Sequence, residues 1–291
     1  MPLQAGQVAP RPLIIFSHGN SFPAGTYKVL IQHLEARGYD VKALEKFGHD
    51  RAYPVTSNWP HLVQQLADFA ALHVRETGQP AFLVGHSLGG FLSVMCAAQH
   101  PNLGGMRVAG VVLLDSPLIG GWKATAVRVA KGTRLVGTVP PGAISRKRKN
   151  QWPGKKEAAA HFGGKKVFAL WEQQVLKDYI EHGTHDAQDD KGESVRLLSF
   201  DRRVETAIYN TLPHNLERML KRHPLQCPVQ FIGGHQSAEI KQAGMTLTQK
   251  VTQGRITWMQ GSHLFPMEAP AETAAAIEAA LTNITKLERA A

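Results

Sequence analysis

The sequence predicts an α/β protein built on a parallel sheet, and three observations carry that expectation. Short uninterrupted apolar runs, Leu13-Ile14-Ile15-Phe16, Ala81-Phe82-Leu83-Val84 and Val108 to Leu114, have the composition of strands buried on both faces. Between them lie segments whose apolar residues recur at helical spacing. The chain is also long enough, at 291 residues with 43% hydrophobic and 19% charged residues, to bury a sizeable core. That balance excludes collagen-like, coiled-coil and disordered classes, and no repeat of fixed period points to a solenoid or propeller.

In chain order, Leu13 to Phe16 is the first strand; it ends at Ser17-His18-Gly19-Asn20 and leads to a helical pattern from Thr26 to Arg37. Gly38 stops that helix, Tyr39 to Leu44 reads as a second strand, and Trp59 to Glu76 places Leu62, Val63, Leu66, Phe69 and Leu72 on one helical face. Ala81 to Val84 is the next strand, turning at Gly85 to Gly90 into a helix with Phe91, Leu92, Val94 and Met95. Val108 to Leu114 follows. Regular alternation then stops beyond Pro117 and resumes at Val229 to Ile232, with a helix over Glu239 to Val251, a strand from Arg255 to Met259 and an Ala-rich helix from Pro270 to about Leu287. The core is therefore expected from residues 1–117 and 227–291, interrupted by an insertion over 118–226.

Charge is unevenly placed. The chain has 33 Lys and Arg against 23 Asp and Glu, and from Ser116 to Gln226 the count is 20 against 11, so nearly all of the excess lies in the insertion. Residues 145–166 hold eight basic side chains and one Glu, interleaved with Trp152, His161 and Phe162. A solvated surface is the first reading of such a run. Attraction of an anionic acyl substrate is the second, and nucleic-acid or membrane-surface contact the third, because no DNA-binding motif or basic amphipathic helix accompanies it. Cys96 and Cys227 match no metal-ligand spacing and suggest a reduced intracellular protein. Met1 to Pro10 lacks the pattern of a secretory leader, and no apolar run approaches a membrane span, so a cytoplasmic location is expected.

Chemistry concentrates at Gly85-His86-Ser87-Leu88-Gly89, set between a buried strand and an apolar helix. A sharp strand-to-helix turn strains the serine backbone and needs small neighbours, which Gly85, Gly89 and Gly90 supply. Ser87 is the expected nucleophile. The backbone N–H of Leu88 at the helix start would face developing negative charge, and the loop after the first strand offers the N–H of Asn20 as a second donor. His18, Gly19 and His86 are candidate substrate contacts. A serine hydroxyl needs a base, and among fourteen histidines His263 follows the last strand directly, in Gly261-Ser262-His263-Leu264. The base needs a carboxylate. Glu239, in the loop after Val229 to Ile232, is favoured, with Asp115, at the end of the preceding strand, as the alternative.

A nucleophile elbow, an acid and a histidine in that order, together with a His-Gly loop after the opening strand, resemble the α/β-hydrolase superfamily over Pro12 to Pro117 and Pro228 to about Leu287. The resemblance implies an α/β-hydrolase fold with a mostly parallel sheet, a Ser/acid/His triad and a mostly helical lid inserted after the strand ending at Asp115. Only about ten residues precede the first strand, whereas the family usually has two more strands there, so about six strands are expected. The family's acid is most often an aspartate after the penultimate strand, and no Asp lies between Phe231 and His263; Glu239 would substitute in role. Relatives with a carboxylate nucleophile, the dehalogenases and epoxide hydrolases, are excluded by Ser87.

The sequence thus points to a serine hydrolase that cleaves a carboxylic ester or thioester through an acyl-enzyme, without metal or organic cofactor, on a small-molecule acyl substrate. Two rival readings are a carbon–carbon bond hydrolase on the same triad and a binding protein that kept the scaffold.

Overall fold

The computed structural model describes residues 11–132 and 142–290. The reading of Met1 to Pro10 lies outside the described residues. A six-stranded sheet forms from β1 (Leu13–Ser17), β2 (Asp40–Ala43), β3 (Ala81–His86), β6 (Gly110–Leu114), β10 (Val229–Gly234) and β11 (Ile256–Met259). Its order is β11-β10-β6-β3-β1-β2 and every neighbouring pair is parallel. The remaining strands are short: β4 (Asn102–Leu103) and β5 (Met106–Arg107) make a hairpin turned by Gly104 and Gly105, both at positive φ. The Gly-Gly pair was its signal, too brief to read as strands.

Alternation of side chains along each strand feeds two separate cores. Leu13 and Ile15 of β1, Leu83 of β3 and Val111 and Leu113 of β6 pack with the helices Pro60–Thr77 and Leu88–Gln99. Ile14, Phe16, Val84, Val112 and Leu114 face the other way, onto the helices Lys28–Ala36 and Pro270–Ala290. The uninterrupted apolar runs of the sequence have this cause: the inner strands β1, β3, β6 and β10 are buried on both faces, whereas the edge strands β2 and β11 are partly exposed. The Leu88–Gln99 helix is buried from Leu88 through Ala98, which explains why its sequence is apolar all round rather than amphipathic.

The expected helix over Glu239 to Val251 is two helices, Ala238–Ala243 and Thr246–Thr252, separated where Gly244 adopts φ 77°. The segment between β6 and β10 is less helical than expected. Beside the helices Gly121–Gly132, Gly142–Lys147, Lys155–Gly163, Gln173–Gly183, Arg202–Asn210 and Leu216–Arg222 it carries a three-stranded antiparallel sheet, order β7-β9-β8, of β7 (Gln151–Trp152), β8 (Thr184–Gln188) and β9 (Ser194–Leu198). These strands escape a hydropathy reading because a charged residue sits in their interior. Arg196 is buried, with Nε donating to Thr184 Oγ1 at 2.8 Å and Nη1 2.9 Å from Asp186.

The basic run is likewise only partly a wet surface. Arg148 lies inside, its guanidinium donating to Glu205 Oε2 at 3.1 Å and to the Tyr179 hydroxyl, while Lys149 and Lys165 stand over the rings of Trp152 and Phe162. Cys96 and Cys227 are both free thiols. Among the described residues, no helix is long and apolar enough to cross a membrane.

Candidate active site

All the site residues lie just beyond the carboxyl ends of the parallel strands, where a doubly wound sheet leaves its loops free to converge. Ser87 follows β3 with φ 52° and ψ −115°, a backbone conformation that costs a non-glycine residue about 1–3 kcal/mol. Packing holds it there. The Ser87 amide donates to the Leu114 carbonyl at 3.0 Å, and the turn is so tight that a Cβ on Gly85 would stand 2.2 Å from the Gly89 carbonyl and one on Gly89 2.0 Å from the Ser17 carbonyl oxygen.

His263 bridges two partners that are far apart in sequence. Its Nε2 is 3.0 Å from Ser87 Oγ and its Nδ1 is 2.7 Å from Asp115 Oδ2. A carboxylate only accepts, so Nδ1 carries the proton and Nε2 is left to accept from the serine hydroxyl. Asp115 is fully buried, and its charge is satisfied by three donors: the Gly234 amide at 2.8 Å on Oδ1, and on Oδ2 the Ser237 hydroxyl at 2.6 Å together with His263.

The expectation that Glu239 is the histidine's carboxylate therefore requires correction in geometric terms. Its Oε2 lies 3.9 Å from Nδ1, beyond hydrogen-bond distance, and its side chain is 48% exposed. Ser237 explains the difference: it caps the Ala238–Ala243 helix, accepting from the Ile240 amide at 3.2 Å, and turns its hydroxyl to Asp115, so the deep position is filled before Glu239 is reached. Asp115, Glu239 and His263 are the one cluster among the described residues with metal-ligating spacing, their donor atoms within 4.8 Å, and the His263–Asp115 hydrogen bond occupies the ligand atoms that a cation would take.

Leu88 opens its helix and Asn20 follows Gly19; among the described residues no hydrogen bond within the protein engages either amide. The Gly19 amide is taken, donating to the Tyr27 hydroxyl at 2.9 Å. Of the residues expected at the site, Ser87, Asp115, Glu239 and His263 line the cavity; Asn20 and Leu88 do not, and neither do His18, Gly19 and His86, against the expectation of substrate contact for the last three. Both imidazoles are completely buried with both nitrogens engaged. His18 Nδ1 donates to the Gly19 carbonyl at 2.8 Å and Nε2 accepts from the Phe47 amide at 3.0 Å; burial pulls its pKa down to about 4. Burial, reinforced by neighbouring His263, takes His86 down to about 3.

The cavity at Ser87 and His263 measures about 440 Å³. Phe91 and Ala243 come from the core, and Pro117, Ile119, Trp122, Ala126, Val127, Tyr209 and Leu212 come from the segment between β6 and β10. Burial raises the Tyr209 phenol to about 12, so it stays protonated. Lys123 is the cation of the lining, and its Nζ donates to the Gln242 carbonyl at 2.6 Å. None of the described residues from 145 to 166 lines this cavity, so the basic run does not form the wall that an anionic acyl group would touch. Trp171 and Tyr179 are packed in an aromatic cluster with Phe162 and Phe168, whereas Tyr209 and Leu212, sequence neighbours of no motif, reach the cavity.

The sequence model of the Hydrolase_4 family, described as "Serine aminopeptidase, S33", matches residues 8–161. The chain is similar to a monoglyceride lipase homolog of Monkeypox virus, 27% identical over 138 residues that cover 46% of this chain and 48% of that protein. It is also similar to the pyrethroid hydrolase of Sphingobium wenxiniae, 34% identical over 136 residues covering 46% and 42%. In each case less than half of the relative's length is spanned. Among solved structures, E-2-(acetamidomethylene)succinate hydrolase superposes with a TM-score of 0.66 over 94% of this chain and 91% of that one, at 22% identity, which shows a shared fold. With a family match over more than half of its length and a six-stranded parallel sheet that carries a serine on a strand-to-helix turn, the chain belongs to the Hydrolase_4 family of the α/β-hydrolase superfamily.

Proposed function

We propose that the chain is a serine hydrolase that cleaves a carboxylic ester or thioester through an acyl-enzyme. The observation that carries this reading is the continuous hydrogen-bond path from Ser87 Oγ through His263 to Asp115, at 3.0 and 2.7 Å. Ser87 Oγ attacks the carbonyl carbon as its proton passes to His263 Nε2; the tetrahedral intermediate collapses, and the same proton goes to the departing alcohol or thiol. Water then repeats the sequence on the acyl-enzyme and releases the acid. Asp115, rather than Glu239, holds the imidazole tautomer and stabilises the imidazolium. The amides of Leu88 and Asn20 stabilise the oxyanion. No step calls on a metal or an organic cofactor.

The apolar cavity wall suits an acyl chain, and the names of the lipase homolog and the pyrethroid hydrolase support hydrolytic chemistry of this kind. Residues 118–226 act as a lid over a core of 1–117 and 227–291, because Ile119, Trp122, Ala126, Val127, Tyr209 and Leu212 of that insertion line the cavity at Ser87. Free thiols at Cys96 and Cys227 fit a reducing, cytoplasmic setting.

The test is covalent. A fluorophosphonate should add one adduct to the wild-type chain at pH 8, seen by intact mass, and none to Ser87→Ala, while wild type turns over a short-chain nitrophenyl ester. Folded wild type that takes no label and turns over no ester would sink this reading.

A further inference from the structure

Behind the site runs a buried chain of hydrogen bonds that the proposed reaction does not use. The Gly19 amide is 2.9 Å from Tyr27 Oη, Tyr27 Oη is 2.7 Å from His86 Nδ1, and His86 Nε2 is 2.9 Å from the His263 carbonyl oxygen. Tyr27 is 1% exposed and His86 not at all. Every proton in the chain is assigned by elementary donor and acceptor rules. The His263 carbonyl only accepts, so His86 Nε2 carries the hydrogen. Neutral imidazole has one N–H, so Nδ1 accepts, and the hydroxyl of Tyr27 donates to it. The phenolic oxygen then receives the Gly19 N–H. Burial keeps His86 neutral, which the chain requires, since a charged ring would present a second N–H to the Tyr27 hydroxyl.

The residues at its ends and centre matter for what they adjoin. Gly19 precedes Asn20, whose amide is free within the protein; His86 precedes Ser87; and His263 is itself the base. Three loops from three strands, β1, β3 and β11, are thereby fixed to one another by direct hydrogen bonds between neutral groups. The fit is close: a Cβ on Gly19 would lie 2.9 Å from His86 Nδ1 and 3.0 Å from Tyr27 Oη, so residue 19 must be glycine for the chain to close. The rings of His86 and His263 lie side by side with centroids 5.0 Å apart, which holds the imidazole plane as well as its backbone.

Resting on the serine-hydrolase reading above, we infer that Tyr27 and His86 are positioning residues that set the distance between the oxyanion donor at Asn20, the nucleophile Ser87 and the base His263. Neither touches substrate. Their contribution belongs to the transition state, because the oxyanion and the imidazolium both develop there, and a displacement of the order of 1 Å between catalytic groups costs about a hundredfold in rate.

The experiment compares wild type, Tyr27→Phe and His86→Gln on nitrophenyl butyrate at 25 °C, with Tyr53→Phe, a surface tyrosine paired with Asp68, as a control of unchanged activity. Tyr27→Phe should lower kcat about tenfold or more with KM within about twofold of wild type, and slow fluorophosphonate labelling in parallel while the label stays on Ser87. A near-UV circular dichroism spectrum matching wild type separates this from loss of fold. His86→Gln keeps an N–H for the His263 carbonyl but loses the bond from Tyr27, and its kcat should also fall; this variant decides the matter if Tyr27→Phe does not fold. A folded Tyr27→Phe or, failing that, His86→Gln with wild-type kcat would overturn the inference while leaving the labelled Ser87 untouched. Absence of label on folded wild type would overturn both the inference and the reading beneath it.

Discussion

The core and the segment between β6 and β10 both hold the loop after β1, and they do it with opposite chemistry. On the core side, the Gly19 amide is engaged by neutral groups, Tyr27 and then His86. On the other side, two residues further on, Ser21 Oγ donates to Glu205 Oε1 and Asn20 Nδ2 to the Glu205 carbonyl at 3.1 Å, with Glu205 in turn held by Arg148. A neutral relay is insensitive to salt, and its members keep one protonation state over a wide pH range. A buried ion pair must recover a desolvation cost from each partner and fails badly when either is removed. The division extends to the site: the core carries every member of the Ser87–His263–Asp115 path, and the inserted segment contributes cavity wall.

The largest effect should come from breaking the core's path. Asp115→Asn keeps the size of the side chain and forfeits the charge that fixes the tautomer; kcat is expected to fall about 10⁴-fold, the scale known for the corresponding change in a serine protease triad, with steady-state hydrolysis of a nitrophenyl ester as the measurement. Glu239→Gln in the same assay should change kcat/KM less than about threefold, since it lies outside hydrogen-bond distance of Nδ1; equal losses for the two variants would contradict the assignment of Asp115.

Breaking the ion pair on the other side should appear as stability. Glu205→Ala leaves the largely buried Arg148 guanidinium without its carboxylate, with the Tyr179 hydroxyl as its remaining acceptor, and should cost about 3 kcal/mol in denaturant unfolding. A loss below about 1 kcal/mol would mean that Arg148 finds water or another acceptor.

The two buried imidazoles, His86 of the relay and His18 beside it, predict a pH signature of their own. His18 and His86 are held down to about 4 and about 3 in the fold, against an unfolded value near 6.5. Between those limits the unfolded chain binds protons that the native chain excludes, so their contribution is fully present above about pH 6.5 and is lost as pH falls toward 4 and 3. Each should add up to about 1.4 kcal/mol per pH unit to the slope of stability in that window. A melting temperature that stays flat from pH 7 to pH 5 would argue that neither ring is excluded from protonation.

The smallest effect concerns the wall. Leu212→Ala removes apolar surface from the cavity without touching the reacting groups, so it should raise KM for a medium-chain nitrophenyl ester about fivefold, about 1 kcal/mol, and leave the acetate ester unchanged. A fall in kcat on both esters would place the inserted segment in the chemistry after all.

Much of this was legible along the chain because the signals are local. The inner strands β1, β3, β6 and β10 announce themselves as apolar runs, since both of their faces are covered. The turn at Gly85 to Gly89 is written in glycines because a Cβ at Gly89 would stand 2.0 Å from the Ser17 carbonyl oxygen, and His263 is placed by its position directly after the last strand. Six parallel strands follow from the same evidence. The inserted segment reads poorly for the converse reason. Its β8 and β9 carry Asp186 and Arg196, whose charges satisfy each other across the pair, so hydropathy sees a polar loop where pairing makes a sheet.

The sequence by itself determined the layered core, the strained serine turn and the histidine that faces it, because each depends on residues within a few positions of one another. Only the tertiary structure decided which acid meets His263, that His86 lies behind the base instead of against substrate, and which residues of the insertion wall the cavity. Those outcomes rest on where the folded chain brings distant groups: Asp115, 148 residues from His263 along the chain, lies 2.7 Å from its Nδ1, whereas Glu239, much nearer in sequence, stands at 3.9 Å, and no pattern along the chain encodes that order.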